Sequence, residues 1–266
     1  MFGVEIGMAP ELLGLLFLVA VAAGCFDAIA GGGGLVTVPA LLLAGLDPVA
    51  AIATNKLQGA AGTVSSTVAF ARRGLIPWRT AWPIAAIAAA VSVLGALSAS
   101  VLPAAWLEAG VPILLVAIAL YFGLSRRMGE ADVKARLTRP VFLLALVPPI
   151  AFYDGLFGPG AGSFYMAGFV AALGYGVVKA TAHTKLANAA SNLGGLALFA
   201  ATGAVVWPIG LVMAAGALIG AQIGAALAVR FGARLIRPLL VAISCAMAIR
   251  LLADAQNPLR VWAAGG

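Results

Sequence analysis

Asp27-Ala28-Ile29-Ala30-Gly31-Gly32-Gly33-Gly34 has a counterpart in the second half of the chain, Asp154-Gly155-Leu156-Phe157-Gly158-Pro159-Gly160-Ala161. Each stretch ends an apolar run with an acidic residue, breaks at clustered glycines, and is followed by another apolar run. The match continues after a two-residue gap. Lys56, Phe70, Gly74 and Trp78 align in order with Lys185, Phe199, Gly203 and Trp207. Leu114-Leu115-Val116-Ala117-Ile118 returns as Leu239-Leu240-Val241-Ala242-Ile243. Alanine pairs match by chance in such a sequence. Ordered Asp, Gly, Lys and Trp pairs do not, so the chain is read as an internal duplication.

The composition says where such a duplication sits. Of 266 residues, 63% are hydrophobic and 9% charged, against roughly 25% charged in an ordinary soluble domain. So few charges cannot cover a water-soluble surface of this size, which excludes a soluble enzyme, a nucleic-acid binder and a disordered chain. Continuous apolar runs such as Ala85–Val91 and Ile113–Leu120 lack the alternation of outer-membrane strands. In lipid only helices and closed barrels satisfy their backbone groups, so the expected fold is an all-α polytopic membrane protein with the lipid bilayer as solvent. The net charge of +7 then reflects basic loops, not a nucleic-acid partner. The acidic start, with no Lys or Arg before Lys56, does not fit a cleaved signal peptide. Cys25 and Cys245 have no disulfide or metal-ligand spacing, and no metal or cofactor is expected.

Hydropathy and punctuation place ten hydrophobic helical segments, at about 11–30, 35–46, 49–71, 80–102, 107–124, 140–156, 161–173, 177–201, 206–228 and 234–253. The second and seventh are short and follow the glycine clusters. Short, glycine-interrupted segments at matching places in two halves point to a transporter binding site. Five segments per half would invert the second copy relative to the first. The expected organisation is a first inverted repeat at 1–124, a basic cytoplasmic loop at 125–139, and a second inverted repeat at 140–266. The charges agree: Arg72, Arg73 and Arg79 flank one turn, Arg230, Arg234 and Arg237 another, and Arg126, Arg127, Lys134, Arg136 and Arg139 occupy the central loop. Placing these three in the cytoplasm puts both termini on the outer, periplasmic side of a cell inner membrane.

The site candidates follow from what is costly in lipid. Lys56 and Lys185 are ammonium groups within apolar segments, where a charge costs several kcal/mol. The bland alternative is a lysine near a helix end that reaches the headgroups. Asn55, Gly59, Gly62 and Ser66 share one helix face, as do Thr184, Asn188, Ser191 and Gly195, and Lys185, Asn188 and Asn192 share another. Gly59, Gly62 and Ser191 would serve helix packing alone. Asn55, Gln58, Asn188 and Asn192 carry larger two-ended amides suited to a wet cavity. Gly32, Gly33, Gly34, Gly160 and Gly162 let the backbone approach a ligand. A helix starting there offers N–H groups and a positive dipole end to an anion, with Thr37 and Ser163 as added hydroxyls. Asp27, Asp154 and His183 are candidates for proton coupling. The two carboxylates could equally cap backbone or pair with a lysine. Gly216, Gly220 and Gly224, spaced for close helix contact, fit a scaffold or a dimer contact, leaving room for a homo-oligomer. Trp78, Trp82 and Trp207 are expected at membrane interfaces.

Gly31-Gly32-Gly33-Gly34-Leu35-Val36-Thr37-Val38-Pro39, then Ala53-Thr54-Asn55-Lys56, with an echo in the second half, resembles the TauE/SafE sulfite exporter family, also called the toluene-sulfonate uptake permease family. The resemblance covers nearly the whole chain. It implies a bacterial transporter that moves a small anionic substrate, sulfite or an organosulfonate such as sulfoacetate, usually outward. It also implies an anion site built from the glycine-rich segments, Lys56 and Lys185. Two departures are plain: Thr184 stands where the first half has Asn55, and Pro159 interrupts the second glycine run. No phosphate-binding loop is present, so ATP is not expected to drive transport. An anion leaving a negative-inside cell gains about 2.3 kcal/mol per charge per 100 mV, enough for a uniporter. The expected mechanism is alternating access. The competing readings are a transporter or channel for another small solute or ion and, last, an intramembrane enzyme using Ser65 or Ser191 with a lysine.

Overall fold

A computed structural model of the chain describes residues 9–99, 116–117, 119–121, 123–124 and 129–253. Every regular element among them is a helix. These are α1 (Pro10–Ala30), α2 (Gly34–Leu43), α3 (Pro48–Arg72), α4 (Trp78–Ser98), α5 (Arg139–Ala145), α6 (Val147–Leu156), α7 (Ala161–Ala171), α8 (Val177–Ala201), α9 (Trp207–Phe231) and α10 (Ala233–Ala253). The chain is an all-α, multi-pass membrane protein.

Local chemistry sets most boundaries. Pro10 and Pro48 begin α1 and α3, where proline's missing N–H is no loss and its fixed φ suits a first turn. Asp47 caps α3, accepting from the N–H groups of Val49 and Ala50, each at 3.0 Å. Gly74 and Gly203 end the paired long helices α3 and α8 with φ of 72° and 74°.

Nine of the ten expected segments coincide with described helices, shifted by a few residues at their ends. Most of the segment at 107–124, and residues 125–128 of the central loop with Arg126 and Arg127, lie outside the described residues. The segment at 140–156 needs a correction: it is two helices, parted at Leu146. Pro148 and Pro149 follow directly, and prolines cannot donate into the preceding turn.

Among the described residues α1, α4, the α5–α6 pair and α9 are long and apolar enough to cross a membrane. The 25-residue α3 and α8 are as long, but carry the polar residues. They bury them inside the bundle: Asn55, Lys56, Gln58, His183, Lys185, Asn188 and Asn192 are all buried. At 10 and 11 residues, α2 and α7 extend about 15 Å at 1.5 Å per residue, half of a hydrocarbon core of about 30 Å. Trp78, Trp82 and Trp207 lie in the first turns of α4 and α9, with exposed rings.

The helices pack in matching ways. α1 lies along α9 and α4 along α6, while α3 packs on α9, α4 on α8, and α3 crosses α8 in the middle. Glycine makes the first two contacts possible. A Cβ on Gly216, Gly220 or Gly224 would run into the carbonyls of Phe17, Val21 or Cys25 on α1, and one on Gly155 of α6 into Ser92 on α4. The glycine stripe of α9 is therefore internal scaffold. Gly220→Val should cost about 1–3 kcal/mol or more from overpacking, seen as a lower unfolding temperature in detergent. Ile219→Val, at an exposed position on the same helix, should leave it unchanged.

Residues 129–137 lie over the α7–α8 turn. Val133 N–H donates to Gly174 O at 2.8 Å, Arg136 N–H to Ala172 O at 2.8 Å, and Val177 N–H to Gly129 O at 3.0 Å. Asp132 accepts from Gly176 N–H at 2.8 Å and from Lys179 Nζ at 2.5 Å. Slight burial pushes this carboxyl up, but the Gly176 hydrogen bond and the Lys179 ammonium outweigh it and hold it below the ordinary value.

Candidate functional site

Two helix breaks meet in the middle of the bundle. The α1–α2 break turns through Gly31 and Gly32 with φ of 83° and 95°, and the α6–α7 break through Gly158 and Gly160 with φ of 96° and 86°. L side chains rarely adopt such angles. The breaks also touch: a Cβ on Gly31 would fall 2.9 Å from the Gly162 carbonyl carbon and 3.0 Å from Ser163 N.

Both lysines are fully buried, so neither reaches a headgroup. Each pairs with the acid of the other half. Lys56 Nζ on α3 lies 2.8 Å from Asp154 Oδ1 on α6 and also donates to the Asp154 carbonyl. The Ser191 hydroxyl donates to Asp154 Oδ2. Lys185 Nζ on α8 lies 3.0 Å from Asp27 Oδ2 on α1, and Gly33 N–H donates to Asp27 Oδ1 at 3.1 Å. A buried ion needs its partner, since stranding one costs several kcal/mol. Of the alternatives open for Asp27 and Asp154, pairing with lysine is the one realised, crosswise. The pairing also sets the local charge. The four groups sum to zero, and neither lysine lines the cavity.

The cavity is a small polar hollow of about 30 Å³, walled by both carboxylates, the glycine breaks and the amides of α3 and α8. It brings together Gly32, Gly33, Gly34, Gly160, Gly162, Asn55, Gln58, Asn188 and Asn192. Thr37 Oγ1 lies 2.5 Å from Asn55 Oδ1, which leaves the Asn55 NH₂ beside Gly34 as a donor. Asn192 Nδ2 donates to Asn188 O at 2.8 Å. Asn188 Oδ1 and Ser163 Oγ are buried and have no hydrogen-bond partner among the described residues.

Three candidates sit elsewhere. Thr184 does not mirror Asn55; its hydroxyl lies 3.9 Å from Met166 Sδ, away from the cavity. Ser163 lies behind the wall at the helix contact. His183 is farther off, its Nδ1 2.8 Å from Lys179 O and its ring between Phe169 and Tyr175, with centroids at 5.6 and 5.0 Å. That is under the 129–137 segment, with no link to the cavity. The serines of the enzyme reading are also committed. Ser191 serves Asp154, and Ser65 bonds to Leu218 O at 3.1 Å and accepts from Gln222 at 2.8 Å. No Ser–Lys hydrogen bond exists among the described residues.

Gly24, Gly59, Gly62, Thr63 and Gly158 line the cavity as well. Gly24 lies one turn before Asp27 and Thr63 one turn after Gly59, so the helical spacing that marked Asn55 and Asp27 could have found them. Chemically, the hollow offers amides, glycine N–H groups and a helix start to an oxyanion, inside a set of charges that already balances.

A family model described as sulfite exporter TauE/SafE matches residues 16–251. The chain belongs to the TauE/SafE sulfite exporter family. A probable membrane transporter protein of Sinorhizobium, ORF9, is 52% identical over 255 residues, covering 96% of this chain and 98% of the relative. The probable membrane transporter YfcA of Escherichia coli K12 is 45% identical over 250 residues, covering 94% and 93%. One from Haemophilus influenzae is 41% identical over 244 residues, covering 92% and 96%. No solved structure gives a significant match. Family membership with these relatives makes the chain a membrane transporter of a small solute, and points away from an enzyme.

Proposed function

We propose that this protein is a secondary transporter that exports a small sulfur-containing oxyanion, sulfite or an organosulfonate such as sulfoacetate, across the bacterial inner membrane. Two halves of opposite orientation alternate in opening a central site to either face. One observation carries this reading: two broken helices, one from each half, meet at a polar hollow flanked by crosswise Lys–Asp pairs. Short helices ending inside the bundle are where transporters bind ions. The main helix contacts also support it, because α1 on α9 is matched by α6 on α4, and α3 on α9 by α8 on α4. The basic loops then face the cytoplasm and both termini the periplasm. The family's name supports the choice of anion. Donor groups without net positive charge favour an oxyanion over a metal cation, which would want more carboxylates.

Proteoliposomes loaded with sulfite test the assignment. Saturable efflux above protein-free vesicles, inhibited by sulfoacetate, is expected. Efflux equal to that of empty vesicles for both anions would remove the substrate assignment.

A further inference from the structure

The two Lys–Asp pairs are not equivalent. Asp154 is 3% exposed and its carboxylate is engaged on both oxygens, by Lys56 and by Ser191. Asp27 is 17% exposed and holds Lys185 through one oxygen alone, Oδ2, its other oxygen being occupied by Gly33 N–H. One buried polar atom without a partner in the hollow's wall, Asn188 Oδ1, lies on the Lys185 side. Asn188 is one turn along α8 from Lys185. The surroundings of Asp27 bring no second free cation. Among the described residues, α2 has no titratable group, α9 has Arg230 only in its last turn, and α3 brings Lys56, engaged with Asp154. From α10 come Cys245 and basic residues, of which Arg250 donates to Leu35 O at 3.1 Å. The phenol Tyr165 of α7 faces Asp154 and Ser191 instead, and α1 itself brings Cys25 and Glu11.

We infer that the Lys185–Asp27 pair is the exchangeable half of the site: a substrate oxyanion takes the place of Asp27 on Lys185, and Asp27 binds a proton as it does so. This rests on the transport reading above and adds the coupling. Lys185, ionised Asp27 and a monoanion would leave one uncompensated negative charge in a buried hollow, which costs several kcal/mol. A proton on Asp27 Oδ2, the oxygen that Lys185 vacates, restores neutrality, while Oδ1 keeps the Gly33 hydrogen bond. An oxygen of the anion then faces the Lys185 ammonium. The Asn188 amide, which lines the hollow and can present either end, gains a partner. On release the proton leaves Asp27 and Lys185 returns to it. Each cycle carries one monoanion and one proton in the same direction, so flux follows the anion and proton gradients together and not the membrane voltage. The Lys56–Asp154 pair stays closed as a fixed part of the wall.

Methanesulfonate is a suitable probe, because it stays a monoanion across the working pH range and any proton taken up belongs to the protein. Titration calorimetry of the full-length protein in detergent, in two buffers of different ionisation enthalpy, reads that uptake directly. The expected result is close to one proton per anion bound, with affinity falling about tenfold per pH unit as the pH rises. Asp27→Asn should bind with no proton uptake and no such slope. Ile219→Val, at an exposed position on α9 outside the hollow, should keep both. Binding to the wild type without proton uptake overturns the inference and leaves the transport reading standing, as does a slope that survives in Asp27→Asn. If neither methanesulfonate nor sulfite binds at any pH between 5 and 8, the anion assignment fails and the coupling with it.

Discussion

Lys56→Met should unfold at a much lower temperature than the wild type, with a loss of about 3–5 kcal/mol. The substitution conserves apolar volume, so the cavity term is small. What remains is Asp154, 3% exposed, with its carboxylate deprived of the ammonium 2.8 Å away. The Ser191 hydroxyl stays but supplies no charge. The diagnostic is the double variant. Lys56→Met with Asp154→Asn removes both charges, and buried pairs replaced together are often near neutral, so most of the lost stability should return. Thermal unfolding of the wild type, both single variants and the double variant in one detergent gives the coupling. Additive losses would mean that the pair is not what holds α3 to α6.

Lys185→Met should lower sulfite efflux from proteoliposomes by more than a hundredfold while leaving a folded protein. Its partner Asp27 is less buried, at 17%, and lines the hollow, so stranding it is cheaper than stranding Asp154. Transport suffers more, because Lys185 is the cation one helical turn from the unpartnered Asn188 amide oxygen that lines the hollow. Removing it leaves an anion only neutral donors, and charge-assisted hydrogen bonds are roughly twice as strong as neutral ones. Lys185→Arg separates charge from shape: a guanidinium has no room at a fully buried position that fits an ammonium, so it should restore little. Wild-type efflux from Lys185→Met vesicles would take this lysine out of the pathway.

Much of this was legible in the sequence, and the rest was not for physical reasons. Gly31 and Gly158 announce chain breaks because only glycine sits comfortably at φ of 83° and 96°. Helical spacing grouped Asn55 with Gly59 and Lys185 with Asn188 because a helix fixes its own faces. The partner of each lysine could not be read this way. Lys56 meets Asp154 across 98 residues and Lys185 meets Asp27 across 158, and only the crossing of α3 and α8 decides that. With that pairing the charges at the site cancel. Thr184 departs from Asn55 at the matching position, and its hydroxyl turns to Met166. His183 drew notice as the single titratable imidazole, but its ring belongs to the aromatic packing around Phe169 and Tyr175.

The central claim is that the hollow between the two helix breaks opens to each side of the membrane in turn. Cysteine accessibility tests it most directly. In a background with Cys25 and Cys245 replaced by serine, Asn55→Cys in proteoliposomes of known orientation is exposed to a membrane-impermeant thiol reagent from one face and then, in separate vesicles, from the other. The account predicts labelling from both faces and protection by sulfite on each. Labelling from one face alone, or from neither, at rates sulfite does not change would contradict it.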